Sequence, residues 1–123
     1  MPYNPNPPQS SFSYRAKSTP ITTLRDLKKG RIAASKVINL RGMHTDEAQD
    51  YLLEVIDHTV DSTCLLVIHG QGLRSKEQIP LIKERLIDTL PRHPRILALA
   101  TALPKDGGHG AMYVLLKKRD LRG

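Results

Sequence analysis

Residues 64–68 read CLLVI, five apolar residues without a break. A strand with one wet face alternates apolar and polar positions. A run that is apolar on both faces belongs to a strand covered on both sides, as parallel strands packed under helices are. This short run therefore asks for helices before and after it, and the sequence supplies them. In HTDEAQDYLLEVIDHTVDS, Ala48, Leu52, Val55, Ile56 and Thr59 fall at the spacing of one helical face. Thr45 is placed to cap that helix, and Asp46 and Glu47 suit the positive end of its dipole. A second helix is expected to run to about Leu90 with Ile79, Ile82, Leu86 and Leu90 inward, closed by Pro91 and Pro94. Pro80 falls in its first turn, where a missing N–H costs least.

Three more strands complete the pattern: KVINL from Lys36, then RILALATAL and GAMYVLLKK around the loop PKDGGH. The order is β-α-β-α-β-β, an α/β fold with two main helices. Strands joined by helical crossovers run parallel, so the carboxyl ends of these first three strands share one edge of the sheet. The loops leaving that edge are LRGMH, HGQGLRSK and PKDGGHG. Open α/β sheets bind their ligands there.

Outside this domain the chain changes character. Residues 1–20 hold five prolines and little to bury, which reads as a flexible arm; Tyr3, Phe12 and Tyr14 in it could stack on bases. Residues 21–35 form a basic lead-in, with a short helix over 23–30 capped by Thr23 and stopped by Gly30. The packed domain spans 36–119. Of the net +7, a surplus of +6 lies in residues 1–36, with seven Lys and Arg against one Asp. Such a surplus suits an anionic partner. The single cysteine, Cys64, excludes an internal disulfide and any cysteine-cluster metal site. No signal peptide is recognisable and no apolar stretch approaches the roughly 20 residues of a membrane span, so a cytoplasmic monomer with no membrane partner is expected.

The three loops suggest chemistry. Gly70 and Gly72 let backbone N–H groups approach a ligand, and just before a helix such groups seat phosphate. Arg74 and Lys76 add full charges, and His69 adds a proton donor or acceptor with an ordinary pKa of about 6.5. A Gly-x-Gly alone is only a turn. The histidine, the basic flank and the strand–loop–helix setting point to phosphodiester recognition, with cleavage as an extension. GGHGA at 107–111 is explained equally well as a hairpin loop. P-loop, H-E-x-x-H and serine-elbow motifs are absent from the sequence. Carboxylates at this edge number only three, Asp46, Glu47 and Asp106, too few for a two-metal site. No metal ligands are assigned, although a divalent ion stays open as a cofactor. A histidine acting on RNA, whose 2′-hydroxyl supplies the nucleophile, is the easier fit.

INLRGMHTDEA, VIHGQGLRSK and DGGHGAMYVLL, in that order, resemble the three motifs of the Smr (small MutS-related) domain over about residues 37–118. LRDLKKGRI resembles the lead-in of its stand-alone branch. The resemblance implies a two-layer fold like the C-terminal domain of translation initiation factor three, a four-stranded mixed sheet with its last strand antiparallel. It also implies nucleic-acid binding and endonuclease or nicking activity, on DNA in some members and on mRNA at ribosomes in others. The family's Asp-Leu-His triplet is Asn39-Leu40-Arg41 here. Asparagine cannot act as a carboxylate base, and arginine holds phosphate without ever releasing its proton at working pH.

The expected site therefore has His69 as acid/base, Arg41 as phosphate or transition-state clamp and Asn39 beside it. Gly70, Gln71, Gly72, Gly107, Gly108 and His109 supply contacts, and Arg74, Lys76, Lys105, Lys28, Lys29 and Arg31 supply charge. A silent nucleic-acid- or ribosome-binding module, and an enzyme for small phosphate esters, are the rival expectations.

Overall fold

CLLVI forms the inner part of a five-stranded sheet. A computed structural model describes residues 11–71 and 80–120. In chain order the elements are β1 (Ser13–Arg15), α1 (Ile21–Lys28), β2 (Lys36–Asn39), α2 (Thr45–His58), β3 (Thr63–Ile68), α3 (Leu81–Thr89), β4 (Ile96–Thr101) and β5 (Ala111–Leu116). Across the sheet the order is β1-β4-β5-β3-β2. Strands β2 and β3 pair in parallel, with Ile38 opposite Val67, while β5 is antiparallel to both β3 and β4. The last strand thus inserts between its predecessors, and β2, β3 and β4 still point the same way. Their carboxyl ends share one edge, as the crossover argument requires.

The alternation along β3 explains its composition. Leu65 and Val67 face α2 and α3, joining Ile38, Leu52, Leu86, Met112 and Val114 in one core. Cys64 and Leu66 face the other way, where Leu27 of α1 meets Ala98, Ala100, Ala111 and Tyr113. Each such Val or Leu contributes about 1.5–3 kcal/mol by leaving water. The alanines on the second face leave room for a short helix to lie close. Burial pushes the Cys64 thiol up to about 11, so it behaves as a small hydrophobe rather than a nucleophile.

Three local expectations need correction. The sheet has five strands, not four, and the fifth lies within the stretch read as an arm. In β1 and its flank, Phe12 and Tyr14 are half-buried while Ser11, Ser13 and Arg15 are exposed. That period of two lets the strand cover the β4 edge, with Ser13 opposite Ala100. Helix α1 starts two residues before Thr23, because Pro20 at the cap position already has an extended backbone and accepts from the Thr23 N–H at 3.0 Å. Helix α2 has His44, not Thr45, at its cap position, and no side chain caps it there. The expected stop at Gly30 holds, with φ at 71°. Pro80 sits at the cap position of α3 and accepts from the Glu84 N–H at 2.9 Å; Ile79 lies outside the described residues.

At the opposite edge, buried Arg95 donates to the Lys117 and Ile56 carbonyls and ties β4, β5 and α2 together. That cation is structural. No described helix is long and apolar enough to cross a membrane.

Candidate functional site

Strands β2 and β3 end side by side, with Asn39 paired to Ile68 and the Leu40 N–H donating to the Ile68 carbonyl at 2.8 Å. The chain then turns differently on each. After β2, the Asn39 side-chain oxygen accepts from the Arg41 N–H at 3.0 Å, a turn closed by its own asparagine. The same oxygen takes the Arg41 Nε–H at 3.4 Å. This folds the exposed Arg41 side chain back over the neighbouring loop. A methyl added at Gly70 would stand 3.4 Å from Arg41 Cγ, and Gly70 has φ of 85°, a conformation side chains rarely adopt.

After β3, His69 turns inward and is only 5% exposed. Its Nδ1 lies 2.7 Å from the Gly70 carbonyl, which can only accept, so the proton sits on Nδ1. Nε2 then carries a lone pair, is buried, and has no hydrogen-bond partner among the described residues. Burial chiefly pulls the pKa down to about 4; the Gly70 carbonyl opposes this and the nearby Lys83 ammonium reinforces it. His69 is therefore a neutral imidazole at neutral pH, not a group titrating near 6.5 as its type suggests. It can take a proton but holds none to give from Nε2.

The third loop closes against the second. Both His69 and Gly70 donate their N–H groups to the Gly110 carbonyl, at 3.0 and 2.9 Å. Gln71 lies against Gly110, where an added methyl would be 3.3 Å from its Cγ. Residues 102–110 are not a slack hairpin. Two short turns, Pro104–Asp106 and Gly108–Gly110, are pinned from below by the Tyr113 hydroxyl, which donates to Asp106 Oδ2 at 2.5 Å and accepts from the Leu103 N–H at 3.1 Å. Gly107 and Gly108 both have positive φ.

Beside Gln71 a cleft of about 630 Å³ opens, walled by Phe12, Lys28, Leu103, Gly108 and His109 among others. The sequence-derived residues Asn39, Arg41, His69, Gly70, Gln71, Gly107, Gly108, His109 and Lys28 thus share one edge. Others do not join them. Arg31 pairs with Asp26 at 3.4 Å and has no place in the cleft wall; Lys29 sits at the cap position after α1 and Lys105 stands exposed on its turn, both outside that wall. Gly72, Arg74 and Lys76 lie outside the described residues. Among the described residues no three His, Cys, Asp or Glu side chains gather to hold a metal ion.

One contributor escaped sequence reasoning, and another was expected in a different setting. Lys83, in the first turn of α3, is 4% exposed and close enough to His69 to depress its pKa. Its signal was its place on the same helical stripe as Leu86 and Leu90, an inward position for a cation. Phe12, expected as a base-stacking aromatic of a flexible arm, instead borders the cleft from a fixed position because β1 is part of the sheet. The Phe12–Ser13–Tyr14 alternation was the cue to that strand.

Comparison with known proteins identifies the family and the fold. The chain is 25% identical over 114 residues to the "Probable DNA endonuclease SmrA" of Escherichia coli K12, covering 91% of this chain and 61% of that protein. It is 26% identical over 112 residues to the "Ribosome rescue factor SmrB" of Buchnera aphidicola subsp. Baizongia pistaciae, covering 89% and 60% respectively. The chain spans about three fifths of the length of these curated relatives. Among solved structures, YdaL, a stand-alone small MutS-related protein from Escherichia coli, superposes with a TM-score of 0.67 at 25% identity, over 91% of this chain and 87% of that one. The family model described as the Smr domain matches residues 38–117, the stretch from β2 through β5 that carries all three loops. On that match and that fold, the chain belongs to the Smr domain family.

Proposed function

We propose that this chain binds nucleic acid at the shared carboxyl edge of its sheet, gripping a phosphodiester between the Arg41 guanidinium and the backbone around Gly70. One observation carries the reading: Asn39 holds an exposed arginine over a positive-φ glycine beside two further glycine turns. A planar guanidinium matches two phosphate oxygens at once, and bare glycine backbone lets them approach. The net charge of +7 favours the same partner. Relatives named for DNA endonuclease action and for ribosome rescue support nucleic acid or the ribosome as that partner.

Cleavage is a second reading, favoured by the Nε2 lone pair of His69. On RNA, a neutral imidazole there would accept the 2′-hydroxyl proton as that oxygen attacks phosphorus. The bond to the 5′-oxygen breaks to leave a 2′,3′-cyclic phosphate, and the departing 5′-oxygen takes a proton from water or from the imidazolium so formed. Arg41 would offset the charge gathering on the phosphoryl oxygens. The carboxylate that usually orients such chemistry is replaced by Asn39, so binding should outrun cutting.

Incubating the protein with labelled single-stranded RNA, duplex DNA and flapped DNA, with and without EDTA, tests both readings. At least one substrate should be bound in a salt-dependent way, and cleavage should be slow. Absence of binding at low salt to all three overturns the proposal.

A further inference from the structure

Resting on that reading, we propose that the cleft beside Gln71 is a base subsite, holding the nucleobase of the nucleotide next to the phosphodiester gripped at Arg41 and Gly70.

Gln71 links the cleft to the grip. Gln71 follows Gly70 directly, lies against Gly110, and forms part of the cleft wall. Its volume of about 630 Å³ falls within the roughly 300–1,000 Å³ typical of small-ligand sites. The lining is of mixed chemistry. Ala102, Leu103 and Pro104 bring apolar surface, Phe12 borders the cleft while its ring packs against the α2–α3 core, and Lys28, Gln71, Thr101 and His109 bring polar ends. A phosphate alone calls for clustered charge and donors, and Lys28 is the one full cation among the described lining residues. A base has apolar faces and a polar rim, and its own nucleotide carries a single phosphate. That combination is what this lining suits.

The walls are held in place before any ligand arrives. The Phe12 backbone is fixed by three bonds to Thr101 of β4: its N–H donates to Thr101 Oγ1 at 2.8 Å, and its carbonyl accepts from the Thr101 N–H at 2.9 Å and from the Thr101 hydroxyl at 3.3 Å. On the other side Gly108 has φ of 56°, and an added methyl there would meet nothing within 4 Å. Packing does not require glycine at that position. Gly108 borders the cleft with bare backbone, and asparagine, which tolerates the same conformation, would add a side chain at that border.

The test is a titration of the isotope-labelled full chain, followed by backbone amide shifts, with adenosine monophosphate as probe. Ribose 5-phosphate and inorganic phosphate are the comparison arms. Adenosine monophosphate should shift the Ser13, Leu103 and Gly108 amides saturably, at least tenfold more tightly than ribose 5-phosphate. Phe12→Leu, which keeps apolar bulk against the core, should weaken it about fivefold to tenfold, and Gly108→Asn should weaken it with the β-sheet amides unmoved. Equal affinity for the nucleotide and ribose 5-phosphate would overturn the base subsite and leave an anion seat. If a single-stranded RNA 12-mer shifts Arg41 and Gly70 while the nucleotide leaves the cleft unmoved, the inference fails and the binding function stands. If the RNA shifts neither loop, both fall together.

Discussion

The two strand ends at the heart of the site are neighbours and opposites. After β2 the chain presents Arg41, exposed and permanently charged, leashed to Asn39. After β3 it presents His69, buried and neutral, bonded to its own next carbonyl. An exposed cation held by one side-chain oxygen can contribute attraction to a ligand and almost nothing to folding. A buried imidazole contributes to folding first, and to chemistry only if a substrate reaches its lone pair. Grip and base are thus assigned to different strands, and each can be altered while the other is watched.

The largest expected effect concerns the buried side and pH. The folded pKa of His69, about 4, lies below its ordinary 6.5, so the unfolded chain binds the proton more readily. Its stabilising contribution is therefore complete above about pH 6.5 and is lost as pH falls through 4, on the order of 3 kcal/mol in all. His93, also pushed down by burial, adds in the same direction. Urea unfolding at a series of pH values should show this decline, and His69→Gln should remove most of it. A parallel decline in the variant would mean that other groups carry the acid sensitivity.

Next in size is the chemistry on that same side. His69→Ala should lower any cleavage rate about a hundredfold, the usual range for a lost acid/base group. Nucleic-acid affinity, measured where the variant is still folded, should hold within about twofold. Because the residue is 5% exposed, the variant should also melt earlier. A rate unchanged in the folded variant would make His69 purely structural.

On the exposed side the pattern should invert. Arg41→Ala should weaken binding about tenfold, the loss of a bidentate charge-assisted contact, and shift the urea midpoint hardly at all. A large stability loss with intact affinity would reverse the roles assigned to the two strands.

How much of this was legible beforehand follows from what each signal depends on. CLLVI, KVINL and the helical stripes carry their own periodicity, so the crossover core and the shared edge were readable. The fifth strand was not, because the alternation of Phe12 and Tyr14 is short and sits among prolines; only the open edge of β4 makes it a strand. The β5 insertion is likewise a pairing choice that no local pattern encodes. Within the site, His69 and the glycines were picked out by type and place, and Arg41 by the family triplet it interrupts. The protonation of His69 did not, since desolvation depends on what packs above the ring. Nor did the company of Lys83, which comes from a helix fourteen residues further on.

The smallest expected effect is also the one that cuts most directly between grip and base. Asn39→Asp with Arg41→His would install the carboxylate and imidazole that the family triplet carries. The turn should tolerate it: the side-chain oxygen at 39 accepts from the N–H at 41, and a carboxylate accepts equally well. The Nε of the present arginine lies 3.4 Å from that oxygen, so a side chain at 41 already folds back to where a carboxylate could orient an imidazole. The variant loses a permanent charge from an exposed site and should bind about threefold more weakly at matched salt. It gains a base that solvent and substrate can reach, and its single-turnover cleavage should rise by a similar factor. Should cleavage instead fall, the arginine itself stabilises the transition state, and the two strand ends form one catalytic unit, not a grip beside a base.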